Sequence, residues 1–349
     1  MEKGGGAPLF RFSPVGIPSA ARLRTRMMIE GNGMTKYILS RLVALVLTLF
    51  IVLTIAFMVL RLMPGNVFEN PELPIAVIEA LKDKLRLNDP LIVQYGSFLE
   101  GILFKNDWGT SVSLEPSVPA FTVLLRRIPL SLQINFISLL AALPVGIMLG
   151  IIAALKQNKL PDYIISFLVV LWISVPSFIY ASLLQYGLAS RLGWFPIVYQ
   201  PSGPWVERFR SLLLPMIALS FWPIATVTRY LRGELIETIN SEFMLLARTK
   251  GLNKFQATVR HAFRNSFLPL TNIVIPMFTF VLGGSLVVEK IFSIPGVGGL
   301  MIDSINSRDY PVAIAVLIFY SAISLLTILL VDLSYAVIDP RVRLGGGKQ

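Results

Sequence analysis

Six apolar runs, each near the ~20 residues that a bilayer core demands of a helix, constrain this chain more than any other feature. They lie at roughly 37–62, 128–155, 163–189, 211–231, 267–288 and 311–337. Hydrocarbon offers no water to backbone N–H and C=O groups, so runs of this length must satisfy their hydrogen bonds internally, as helices. Composition agrees: 54% of residues are hydrophobic and 15% charged, where soluble domains carry about 25% charged. One bundle of membrane helices therefore replaces the two soluble domains that 349 residues would allow. Arg41 opens the first run and Arg61 closes it, each long enough to reach an interface. Pro144, Gly146 and Gly150 in the second run and Pro176 in the third are breaks. Each reads either as a packing kink or as part of a pathway lining.

Several chemistries drop out. Cysteine is absent and His261 is the only histidine, which removes disulfides, thiolate sites and a histidine-based metal cluster. No G-x-x-x-x-G-K-[ST] phosphate loop occurs. The Gly-rich "SIPGVGG" at Ser293–Gly299 lacks the lysine and reads as a re-entrant or gate turn, or as a structural turn alone. Glu289 and Asp332 are costly facing lipid, so each is either a pathway group or a helix-packing partner. No nucleophile, base and acid share one layer, which argues against a membrane enzyme.

Charge sets the orientation. With the N-terminus in the cytoplasm, 19 of the 31 basic residues and 8 of the 20 acidic ones fall inside. The whole +11 excess then faces the cytoplasm, which accounts for the basic character without nucleic acid. Both termini are expected there. Residues 1–33 read either as a flexible cytoplasmic tail or as the product of a start upstream of Met34. Residues 64–127 are long enough for an extracytoplasmic segment, and "LKDKLRLNDPLIVQYGSFLEGIL" within them has helical periodicity.

The remaining long connection, "SEFMLLARTKGLNKFQATVRHAFRNSF" from Ser241, is basic and helix-patterned. Asn240 or Ser241 can cap a helix that Gly251 ends, with Glu242 in the first turn where the dipole favours an acid. Asn253 can cap a second helix, with Phe255, Val259, Ala262 and Phe263 on one face and Arg260 and Arg264 on another. Two readings fit: an amphipathic pair resting on anionic lipid, or a docking knob for a cytoplasmic partner.

"LLARTKG" resembles the E-A-A-x-x-x-G element of ABC-transporter permeases, with Ala247 as its second alanine and Gly251 as its glycine; Leu245 and Leu246 depart from the nominal Glu and Ala. The wider text "ARTKGL…VRHAFRNSFLPL" is similar to the dipeptide, oligopeptide and nickel importer branch. So are "NDWGTS" at Asn106–Ser111, "SVPSF" at Ser174–Phe178, "GGSLVVEKIFSIPGVGGLM" at Gly283–Met301, "RDYPV" at Arg308–Val312 and "VDLSYAVIDPRVR" at Val331–Arg343. The resemblance spans roughly 34–343.

It implies an all-α integral membrane protein of the type I importer permease fold, with six transmembrane helices. The first would be 34–63, followed by the extracytoplasmic segment 64–127, a permease core at 128–338, a coupling helix at about 241–253 and a cytoplasmic tail at 339–349. Glu242, Ala247, Arg248, Lys250, Gly251 and Leu252 would couple to ATPase subunits. Pro295, Gly296, Gly298, Arg308, Asp309 and Tyr310 would form an outer gate or a dock for a binding protein. Implied partners are a homologous second permease, two ATP-binding subunits, an extracytoplasmic substrate-binding protein and membrane lipid. ATP and Mg would be bound by the ATPase subunits, with no cofactor in this chain. The setting would be a bacterial or archaeal inner membrane, and the cargo dipeptides or oligopeptides. Nickel or a metal–chelator complex is the alternative cargo. An ion-coupled secondary transporter is the alternative class, expected to show inverted repeats and charges near the midplane.

Overall fold

Apolar sequence of this length buries its backbone polarity in helices, and helices joined by turns make up the computed structural model over residues 20–62, 79, 88–253, 256, 263–281 and 284–338, the residues it describes. Among them the only extended pairing is one antiparallel bridge, Thr110–Pro119. α1 runs Ala20–Leu62, starting inside the stretch expected as a flexible tail. Residues 63–78 and 80–87 lie outside the described set. α2, Leu91–Lys105, follows Pro90 and stops at Asn106, whose φ of 50° turns the chain out of the helix. It packs Tyr95, Phe98 and Leu99 against Leu53 of α1 and against Ala313, Ile314 and Ile318.

α3, Ala120–Leu155, continues through Pro129 and Pro144 without a break. Gly146 and Gly150 are packing residues. A Cβ on Gly146 would lie 2.9 Å from the Val227 Cβ, and one on Gly150 would lie 3.1 Å from the Leu231 Cβ. This spacing of small residues lets two membrane helices approach closely. Val227 and Leu231 belong to α6, Trp205–Ile239. Two hydroxyls bind across the same seam, Ser220 Oγ to the Ser138 carbonyl and Thr228 Oγ1 to the Gly146 carbonyl, each at 3.1 Å. α6 is the most enclosed of the long helices, with 56% of its apolar window buried, against 11% for α1.

Among the described residues, four helices are long and apolar enough to cross a membrane: Leu39–Val59 within α1, α3, α6, and Tyr310–Val331 within α11 (Tyr310–Ile338). The third predicted run is not one rod. α4, Leu160–Ser174, meets α5, Ser177–Leu184, at an angle of 102°, and α5 continues as a π-helical turn, Gln185–Arg191. Pro176 causes the break: it has no N–H to donate, and it pushes Val175 into an extended conformation (φ −97°, ψ 125°). The fifth predicted run is divided too. α8 covers Phe263–Phe280, and the short α9, Leu286–Ile291, follows. α7, Glu242–Thr249, and α10, Val297–Asn306, are the remaining helices given bounds among the described residues.

Candidate functional site

Two segments singled out by sequence sit at opposite ends of α6, a helix of 35 residues and so about 52 Å long at 1.5 Å per residue. α7 lies beyond its C-terminus. The junction is tight: Ser241 N–H donates to the Thr238 carbonyl at 3.1 Å, and Met244 N–H donates to the Ser241 carbonyl at 3.1 Å. Met244 is 1% exposed, in a cluster with Leu231, Leu235 and Leu270. Its neighbour Leu245 points the other way and is 64% exposed. Among its described side chains, this eight-residue helix thus has an apolar anchor in Met244 and an apolar residue on open surface in Leu245.

Glu242, Lys250 and Gly251 are exposed, while Leu252 is partly buried against the core that holds Met244. Gly251 has φ +92° and an open surround, so the turn demands glycine for its backbone rather than for packing within this chain. Asn253 N–H donates to Gln256 Oε1 at 3.3 Å while Gln256 N–H donates to Asn253 Oδ1 at 2.8 Å. That reciprocal pair has the form of a capping box at the position where the sequence places Asn253 as a cap. The side chains of Ala247, Arg248 and Arg264, together with all of Phe255, Val259, Arg260, His261 and Ala262, lie outside the described set.

At the other end, Glu289 organises the Gly-rich turn. Its side chain is buried and accepts from Ser131 Oγ at 2.8 Å, Ser285 N–H at 3.3 Å and Gly299 N–H at 3.1 Å. Ser131 Oγ in turn accepts Val297 N–H at 2.8 Å. The carboxylate therefore sits at the N-terminus of α10, where unpaired N–H groups and the helix dipole favour negative charge.

Gly296 and Gly298 are buried under this carboxylate. A Cβ on Gly296 would fall 2.3 Å from Glu289 Oε2, and one on Gly298 would fall 2.7 Å from the Leu286 nitrogen. Pro295 is exposed at the tip. The turn is also tied to the broken span: Gln185 Nε2 donates to the Ile197 and Ile291 carbonyls at 2.8 Å each, and Tyr199 N–H donates to the Phe292 carbonyl at 2.8 Å.

Asp309 is fully buried and does not present a charge to solvent. One of its oxygens accepts from Ser111 Oγ and from three successive backbone N–H groups, Val112 at 3.2 Å, Ser113 at 3.0 Å and Leu114 at 3.0 Å. It thereby fastens the 111–114 loop to the start of α11. Gly109 completes the junction, with φ +82° and its Cβ position 3.1 Å from Pro311. Arg308 and Tyr310 are only partly buried. The predicted gate and dock residues thus fall into two fixed turns with different roles, Pro295 at a surface and Gly296, Gly298 and Asp309 inside. Sequence reasoning missed Ser131, Ser111, Met244 and Leu245 as parts of these sites.

Residues 146–344 match the family "Binding-protein-dependent transport system inner membrane component", and residues 34–134 match its N-terminal component model. A dipeptide transport system permease protein, DppB of Lactococcus lactis, is 42% identical over 311 residues, covering 89% of this chain and all of that protein. The oligopeptide permease OppB of Salmonella typhimurium is 36% identical over 312 residues, again covering 89% of this chain and all of its own length. A solved structure of the MetNI methionine ABC transporter overlays with a TM-score of 0.47 at 13% identity, over 63% of this chain and 97% of that one.

Proposed function

This chain belongs to the inner membrane component family of binding-protein-dependent transport systems, and on that premise we propose that it is the peptide-translocating subunit of an ATP-driven importer. It is a permease subunit and not itself an enzyme. The observation that carries the cargo is identity of 36–42% to dipeptide and oligopeptide permeases, end to end along those proteins.

In this reading the bundle crosses the membrane six times. α8 supplies the crossing beyond the four long helices and the bent pair, since 18 residues span about 27 Å. α7 is the coupling helix, on the cytoplasmic side with both termini. The anchoring of Met244 and the exposure of Leu245 support that assignment, because a helix that transmits force needs a fixed back and an available front. Glu242, Arg248, Lys250 and the Gly251 turn frame the front, and Ala247 lets the ATPase surface come close. Leu252 helps to hold the back. On the far side, the turns around Pro295 and Arg308–Tyr310 form the gate and the dock for an extracytoplasmic binding protein, kept rigid by Glu289 and Asp309. A second permease and two ATP-binding subunits complete the assembly.

The test is gentle affinity purification of the tagged chain from its native membrane, with mass spectrometry of what is retained. Recovery of a sister permease, ATPases with phosphate loops and a peptide-loaded binding protein is the expected result. A chain recovered reproducibly alone, and transporting without ATP, would overturn the reading.

A further inference from the structure

α4 and α6 are joined, near the end of α6 that enters α7, by an ion pair unlike the others described. Arg232 Nε donates to Asp162 Oδ1 at 2.6 Å and its second nitrogen to Oδ2 at 2.8 Å, matching the guanidinium fork to both carboxylate oxygens. The Asp162 side chain is 2% exposed. The carboxylates of the ion pairs at Glu100, Glu115 and Asp303 are 25–57% exposed. Asp162 also accepts Asn158 N–H at 2.9 Å and lies 3.4 Å from the Ser166 hydroxyl, which donates to it. One carboxylate therefore fastens α4, the turn before it and α6.

Such a pair is a poor device for stability alone, because desolvating two charges consumes most of their attraction. Its better attested use is to fix register. Beside the pair, α4 and α6 meet through apolar side chains, Ile165 and Val169 with Ala225, and Trp172 stacked on Phe221 at 5.4 Å between ring centroids, contacts that fix spacing but define a register along the axis less sharply than a bidentate fork does. Register matters here because of what lies on each side. α6 passes rigidly into α7 through the Ser241–Thr238 and Met244–Ser241 bonds, while α4 leads to the 102° break at Pro176. Thr238 makes a comparable link to α8, its hydroxyl 3.0 Å from Ser266 Oγ.

We propose that Asp162 and Arg232 are positioning residues that carry displacement of α7 into the broken span α4–α5, an inference that rests on α7 being the ATPase-contacting helix. The chain has no cysteine of its own, so a double variant, Asp162→Cys with Arg232→Cys, removes the charges and can be re-joined covalently by a bifunctional thiol reagent. The experiment measures peptide imported per ATP hydrolysed by the complete complex in proteoliposomes. Asp162→Asn and the uncross-linked double variant should hydrolyse ATP within about twofold of the unsubstituted complex while importing about tenfold less peptide per ATP. Cross-linking should restore import. Unchanged import per ATP in both variants overturns the clamp, as does a parallel fall in import, hydrolysis and assembled complex that cross-linking leaves uncorrected. An unsubstituted complex that imports without ATP overturns the premise instead, and is recognised because it needs no variant.

Discussion

Glycine at position 298 is required by its surroundings, while glycine at position 233 is not. A methyl group on Gly298 would press on the backbone of Ser285 and Leu286 at 2.7 Å, whereas one on Gly233 meets nothing within 4 Å. Gly298→Ala should lower the stability of the purified protein by about 1–3 kcal/mol, the usual cost of overpacking. Gly233→Ala, in the exposed face of a helix, should raise it by about 0.5–1 kcal/mol. Paired thermal unfolding in detergent reads both signs. Glu289 makes a sharper case, because both its oxygens accept: Ser131 and Ser285 donate to Oε1, Gly299 to Oε2. Glu289→Gln turns one acceptor into a donor facing a donor, and leaving such a buried group unsatisfied costs about 1–3 kcal/mol. An unfolding midpoint that does not move would show that the turn is held by packing and not by the carboxylate.

At the scale of elements, α7 separates anchoring from presentation within two consecutive residues. Met244→Ala should cost about 2–5 kcal/mol, as large-to-small changes in a core do. Leu245→Glu, on open surface, should stay within about 0.5 kcal/mol of the unsubstituted protein, yet lose the ATPase subunits on pull-down. Equal retention of those subunits by the Leu245 variant would remove α7 as their contact. Hydrophobic run length made four of the long helices legible in the sequence, because a membrane leaves apolar backbone no alternative. The 102° bend at Pro176 was less so: the proline marks a break, but its angle depends on how α5 packs. Asn253 was readable as a cap because capping is local and its partner stands three residues away. Asp309 was not, since its partners at Ser111–Leu114 are nearly 200 residues distant. Residue type suggested an exposed charge, and only the fold shows a buried one.

For the molecule as a whole, two of the segments that carried the family resemblance meet in space, and a third folds on itself. "NDWGTS" touches "RDYPV" through Ser111–Asp309 and Gly109–Pro311, and the "EKIFSIPGVGG" turn is built around Glu289. Function was legible at this level because those motifs answer to tertiary contacts as well as to chemistry. In the proposed assembly the pathway is shared with a second permease, so no local pattern in this chain alone would name the cargo. The central claim is that this bundle moves peptides inward at the expense of ATP. It is tested most directly by reconstituting the complete complex in proteoliposomes and following labelled dipeptide uptake, with and without ATP, after ion gradients have been collapsed. The account predicts uptake that requires ATP and the binding protein and is indifferent to the gradients. Uptake that persists without ATP and vanishes with the gradients would contradict it.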